Sequence, residues 1–131
     1  MSQLKDLLKA YLRIIHPRVY YENAPESATY PYLIFDFPNE LSDGESVNVV
    51  VVDIDGWDRP ADGDVTLLEA IMEAVNGDGD AENPTGLNKE TLTAEKIAVT
   101  FYLDRKLNLR DDDKRIKRRK YIYQARLFER S

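Results

Sequence analysis

"VVVVDIDGWDRP", Val49 to Pro60, is an apolar run that closes on three acids, Asp53, Asp55 and Asp58. Carboxylates at the end of a buried strand hold magnesium in many phosphotransfer enzymes. Residues two apart in a strand point to the same face, so Asp53 and Asp55 could share a cation. Such a site needs further ligands and a phosphate-binding feature nearby. It also belongs to a parallel sheet of alternating strands and helices. Trp57 continues the strand pattern past the acids, which places Asp53 and Asp55 within or close to the strand. The reading that decides the fold is therefore a core strand with a polar end.

Outward from that strand the elements follow by period. Upstream, "YPYLIFDF" gives a strand over about Tyr32–Phe37, and "PNELSDGES" supplies turn residues, so the two strands form a hairpin. "RVYYENAP" gives a short strand over Arg18–Glu22. Leu4, Leu7, Leu8, Tyr11, Leu12 and Ile15 recur at helical spacing, with Ser2 as N-cap and Pro17 as the stop, which predicts a helix over about Gln3–Ile15. Downstream, Asp62 or Asp64 caps a second helix, whose apolar face is Val65, Leu68, Ile71, Met72 and Val75. Glu69 and Glu73 fall on its outer face, and Asn76-Gly77 ends it. "EKIAVTFYLD" and "KYIYQARLFE" are two further strands. The order α-β-β-β-α-β-β predicts a single α+β domain over 1–131, with a small, mainly antiparallel sheet and both helices on one face. Two long mobile loops are expected, at about 76–90 and 105–119.

Composition narrows the function. The chain has 131 residues and no cysteine, which excludes disulfides, thiolate zinc sites and cysteine nucleophiles. No apolar stretch reaches the roughly 20 residues of a membrane span. The charged, amphipathic N-terminus lacks the pattern of a signal peptide, so the protein is expected to stay where it is made and to meet no membrane. The net charge of −6 is unevenly spread. Residues 1–104 carry 7 Lys and Arg against 20 Asp and Glu, a net of −13, while residues 105–131 carry 11 against 4, a net of +7.

Catalytic and metal motifs are weak. In "NGDGDAEN", counted from Asn76, the EF-hand positions for Gly and Glu hold Ala81 and Leu87. His16 is the only histidine and sits at a predicted helix C-terminus, where the macrodipole favours a partly charged ring. No nucleotide-binding or nucleophile-elbow motif occurs. The expectation is a protein that is not an enzyme and takes no cofactor. The basic stretch is the stronger feature: Arg105, Lys106, Arg110, Lys114, Arg115, Lys117, Arg118 and Arg119. It can be an assembly arm that reaches the acidic body of a neighbour, with Asp78, Asp80 and Glu82 among the acids it meets. It can also be a solvated arm, or a nucleic-acid contact over about 105–120 whose binding falls steeply with salt.

Taken in order, several segments resemble the tail-completion proteins of long-tailed bacteriophages, also called tail-terminator or tail-to-head joining proteins. They are the opening helix with its terminal proline, "YPYLIFDFPN", "VVVVDIDGWDRPAD" leading straight into a helix, "NPTGLN", and the pair "IAVTFYLDRKLNL" and "RRKYIYQARLFER". Asp55-Gly56-Trp57, a strand end before a helix, is the most recognisable piece. The resemblance implies two helices against a small sheet, and a hexameric ring that caps the tail tube and docks onto the head connector. Partners would be further copies, the tail-tube protein and the connector or head-completion protein. DNA would pass through without being read. The protein would reside in the virion, after assembly in the bacterial cytoplasm from monomers. The loops Asn76–Glu90 and Arg105–Arg119 are the positions that would order in the ring.

Overall fold

The structure, a computed structural model, describes residues 2–38 and 49–129. The elements are α1 (Ser2–Ile15), β1 (Val19–Tyr21), β2 (Tyr32–Asp36), β3 (Val49–Asp58), α2 (Thr66–Asn76), β4 (Thr91–Thr93), β5 (Ile97–Arg110) and β6 (Lys117–Glu129). Among the described residues they make one α+β domain, whose six-stranded sheet has the order β1-β2-β3-β6-β5-β4. β1 runs parallel to β2, and every other pairing is antiparallel.

β3 lies inside the sheet, between β2 and β6, and alternates as the sequence predicts. Val50, Val52, Ile54 and Gly56 face the helices and are buried. Val51, Asp53, Asp55 and Trp57 occupy the opposite face of the strand. Both helices pack on the first face. Leu4, Leu8 and Leu12 of α1 and Leu68, Met72 and Val75 of α2 join one core with Leu33, Phe35, Val99, Phe101 and Tyr123. Each fully buried aliphatic side chain contributes roughly 1.5–3 kcal/mol relative to exposure. Gly56 lets α2 approach closely: a Cβ there would lie 2.6 Å from Met72 Sδ and 2.8 Å from Leu68 Cδ1. α1 ends where expected, and buried His16 bonds through Nε2 to the Pro31 carbonyl at 2.8 Å. The Asp64 carboxylate accepts from the Thr66 backbone N–H and hydroxyl at the start of α2.

Two expectations change. Residues 105–119 are not a loop, because β5 runs to Arg110 and β6 begins at Lys117, leaving only 111–116 as the connection. Leu107 and Leu109 alternate with polar neighbours and pair across to Lys120 and Arg118, so the period of a strand outweighs the density of charge. A bulge between Leu103 and Arg105 carries the long strand past the core. The second change is β4, a three-residue strand absent from the expected order, which pairs Thr91–Thr93 with Ala98–Thr100. The loop expected at about 76–90 is present, with no helix or strand over 77–90. Asn76 is the last residue of α2, and the segment after it folds back on the helix end: Leu87 N–H donates to Val75 O at 2.7 Å and Asn88 N–H to Asn76 O at 3.0 Å. The turn expected in "PNELSDGES" lies, beyond Pro38, outside the described residues. So does the N-cap assigned to the Ser2 side chain.

Candidate assembly surface

The acids of the opening stretch sit in a cross-strand network on the sheet face away from the helices. Antiparallel register sets Asp55 beside Lys120 and Trp57 beside Arg118. Lys120 Nζ lies 3.6 Å from Asp53 Oδ2 and 3.6 Å from Asp55 Oδ2. The cation shared by the two carboxylates is thus the chain's own ammonium. No group of three metal-ligating side chains occurs among the described residues. Arg118 stacks its guanidinium 3.9 Å from the centre of the Trp57 ring and stands 3.7 Å from Asp55 Oδ1. Tyr32 stacks on Trp57 at 6.2 Å. Burial pushes the Asp55 carboxyl above its usual range, while Lys120 and Arg118 pull it down. Asp55 Oδ1, Trp57 Nε1 and Arg118 Nε are buried without a hydrogen-bond partner among the described residues.

A second network ties α2 to β6. Arg119 bonds Glu69 at 3.3 Å, Tyr121 donates to Glu73 at 2.6 Å, and Tyr123 donates to Asn76 Oδ1 at 2.8 Å. Lys106 of β5 adds a 2.9 Å pair to Glu73. The spacings run in step: the four and three helical residues between partners rise about 6 and about 4.5 Å, against about 6.6 Å for each pair of strand residues. The Tyr121 and Lys106 bonds hold the Glu73 carboxyl below its usual range. Burial raises both phenols well above theirs, and the bond to Glu73 raises Tyr121 further.

The two networks sort the predicted basic residues. Lys106, Arg118 and Arg119 are engaged by Glu73, Asp55 and Glu69 of the same chain. These three do not form a free arm. The charge asymmetry read as a docking device is in part internal, because β6 pairs with the acidic strand β3 and bonds the acids of α2. Arg115 stands 3.6 Å from Asp113, which also binds Arg59 at 3.0 Å. The Arg115 backbone and Arg59 bonds hold the Asp113 carboxyl low. Arg105, Arg110, Lys114 and Lys117 form no ion pair among the described residues, although Lys117 donates to the Lys114 carbonyl at 3.3 Å.

Before the start of α2 the β5–β6 hairpin overhangs a cavity of about 760 Å³. Gly63 and Val65, at the entry to α2, form one wall, and Arg110, Lys114, Lys117 and Arg119 line the other with Asp111 and Asp112. Asp78, Asp80 and Glu82 lie elsewhere, exposed on the segment that follows α2. There Asp78 accepts from Asp80 N–H and Asp80 from Glu82 N–H, each at 3.0 Å. Sequence reasoning misses Glu69 and Glu73 as partners of the basic stretch and Lys120 as the partner of Asp53 and Asp55. The signal was present: Asp53-x-Asp55-x-Trp57 and Arg118-x-Lys120 share a period of two and carry opposite charge.

No family model matches the chain, and no curated protein matches it. Solved structures do. A chain of "Virion of native gene transfer agent (GTA) particle" matches with a TM-score of 0.54 and 14% identity, over 98% of this chain and 90% of that one. The likeness at that identity is one of fold: the two chains share this α+β architecture along nearly their whole length.

Proposed function

We propose that the protein is a structural, non-catalytic subunit of a phage-like virion. Its place is the head–tail junction, where copies form a ring that completes the tail tube and joins it to the head connector. The observation that carries this reading is the near full-length fold likeness to a chain of a gene transfer agent virion. The resemblance of "YPYLIFDFPN", "VVVVDIDGWDRPAD" and the last strand pair to tail-completion proteins points the same way. So does the chemistry of the acid pair, where an ammonium stands between the carboxylates. DNA passes through the ring without being read. The test is negative-stain imaging of the purified protein mixed with tail tubes that lack their terminal ring. A ring of added density at one tube end is expected. Tubes left bare at saturating protein overturn the reading.

A further inference from the structure

Of the residues predicted to dock, those that line the cavity and those of the acidic segment lie at opposite ends of α2. The cationic cavity stands at its N-terminal end, beside Gly63 and Val65. Exposed Asp78, Asp80 and Glu82 follow its C-terminal end, with no ion pair among the described residues. The helix has 11 residues, so the two ends are roughly 16 Å apart at about 1.5 Å per residue. The loop of one chain therefore does not reach its own cavity. The macrodipole of α2 has the same polarity as the side chains, positive towards the cavity and negative towards the loop.

We propose that the cavity under the hairpin tip receives the acidic loop of a second copy, so that chains join head to tail through the two ends of α2. This deepens the ring reading above and rests on it. Arg110, Lys114 and Lys117 face Asp78, Asp80 and Glu82 across the joint. The loop is built to be presented with little loss of freedom. Its turns are closed by the Asp78 and Asp80 carboxylates, and Leu87 anchors it in the core. The Gly77 and Gly86 backbones lie so close that a Cβ on Gly77 would sit 2.2 Å from Gly86 N. A preformed loop lowers the ordering cost of association. Asp111 and Asp112 in the cavity wall disfavour a continuous phosphate backbone, whereas a short loop places its carboxylates at intervals. Two unlike patches on one subunit give a heterologous contact, which closes into a ring when the rotation permits.

Carbodiimide cross-linking of mixed ¹⁵N-labelled and unlabelled copies tests the contact. Mass spectrometry should find Lys114 or Lys117 of one copy joined to Asp78, Asp80 or Glu82 of the other. The triple change Arg110→Glu, Lys114→Glu, Lys117→Glu makes both ends acidic. The change Asp78→Lys, Asp80→Lys, Glu82→Lys makes both basic. Each variant alone, folded by circular dichroism, lacks the reactive groups for those cross-links and should also lose self-association at least tenfold by sedimentation. An equimolar mixture of the two should regain both. Wild-type copies with no such cross-link in solution or on tail tubes, or a mixture that fails to recover, overturn the proposal. So does a cavity variant that keeps self-association but loses retention of duplex DNA in a low-salt gel. Rings formed on tail tubes by either variant alone overturn this contact and leave the virion reading standing. Cross-links with rescue but bare tubes uphold the contact and overturn the virion reading.

Discussion

The Tyr123 hydroxyl donates a 2.8 Å hydrogen bond to Asn76 Oδ1, and both residues are buried. The bond pins the last residue of α2 to the middle of β6. Tyr123→Phe leaves the Asn76 acceptor desolvated and without this donor, which costs about 1–3 kcal/mol. Urea unfolding should show a lower midpoint with an unchanged slope. An unchanged midpoint would mean that the bond contributes nothing net.

Gly56 faces Met72 and Leu68 with no room for a methyl group. Gly56→Ala should destabilise by about 1–3 kcal/mol through overpacking. In a Met72→Ala background the same change should cost less, because space has opened beside it. A double-mutant cycle measures that coupling, and strict additivity would contradict the contact.

Lys120 holds Asp53 and Asp55 together, at side-chain exposures of 23%, 17% and 15%. Lys120→Met leaves two like charges on one strand face. The expected loss is on the order of 1–3 kcal/mol, below that of a fully buried pair because water still reaches these groups. Millimolar Mg²⁺ should leave the emission of Trp57, the only tryptophan, unchanged in the wild type. A saturable change would show that metal displaces the ammonium.

The Asp55 carboxyl is raised by burial, against Lys120 and Arg118. The folded chain therefore binds this proton more tightly than the unfolded chain does. Its contribution to stability is present at low pH and is lost as the pH climbs from the usual carboxylate range through the raised value. Asp55→Asn removes that dependence. The unfolding free energy of wild type minus variant should fall with rising pH across the window, and a rise would reverse the assignment. Glu73 acts in the opposite sense: held low by Tyr121 and Lys106, it stabilises above the usual range and loses that contribution as the pH falls.

The sequence makes the helices and central strands legible because their signals are local. Val50, Val52 and Ile54 alternate, and Leu4, Leu8 and Leu12 recur at a helical period. β4 has three residues and one half-buried side chain, Leu92, too short a pattern to separate from a loop. The hairpin was hidden by its charge. Arg118 and Lys120 read as an arm until the register of β3 and β6 brings acids beside them. That register depends on residues more than 60 positions apart, which no local period encodes. Of the candidate site, the residue types were visible, but their partition between internal pairs and an open cavity needed three dimensions.

Three bonds from β6 grip α2 at Glu69, Glu73 and Asn76. Sliding the helix by one turn would break all three together, so its position on the sheet is locked rather than adjustable. In the proposed head-to-tail contact α2 would act as a ruler. Any string of subunits linked through its two tips would inherit a repeat distance written into a single chain, with no measuring protein required.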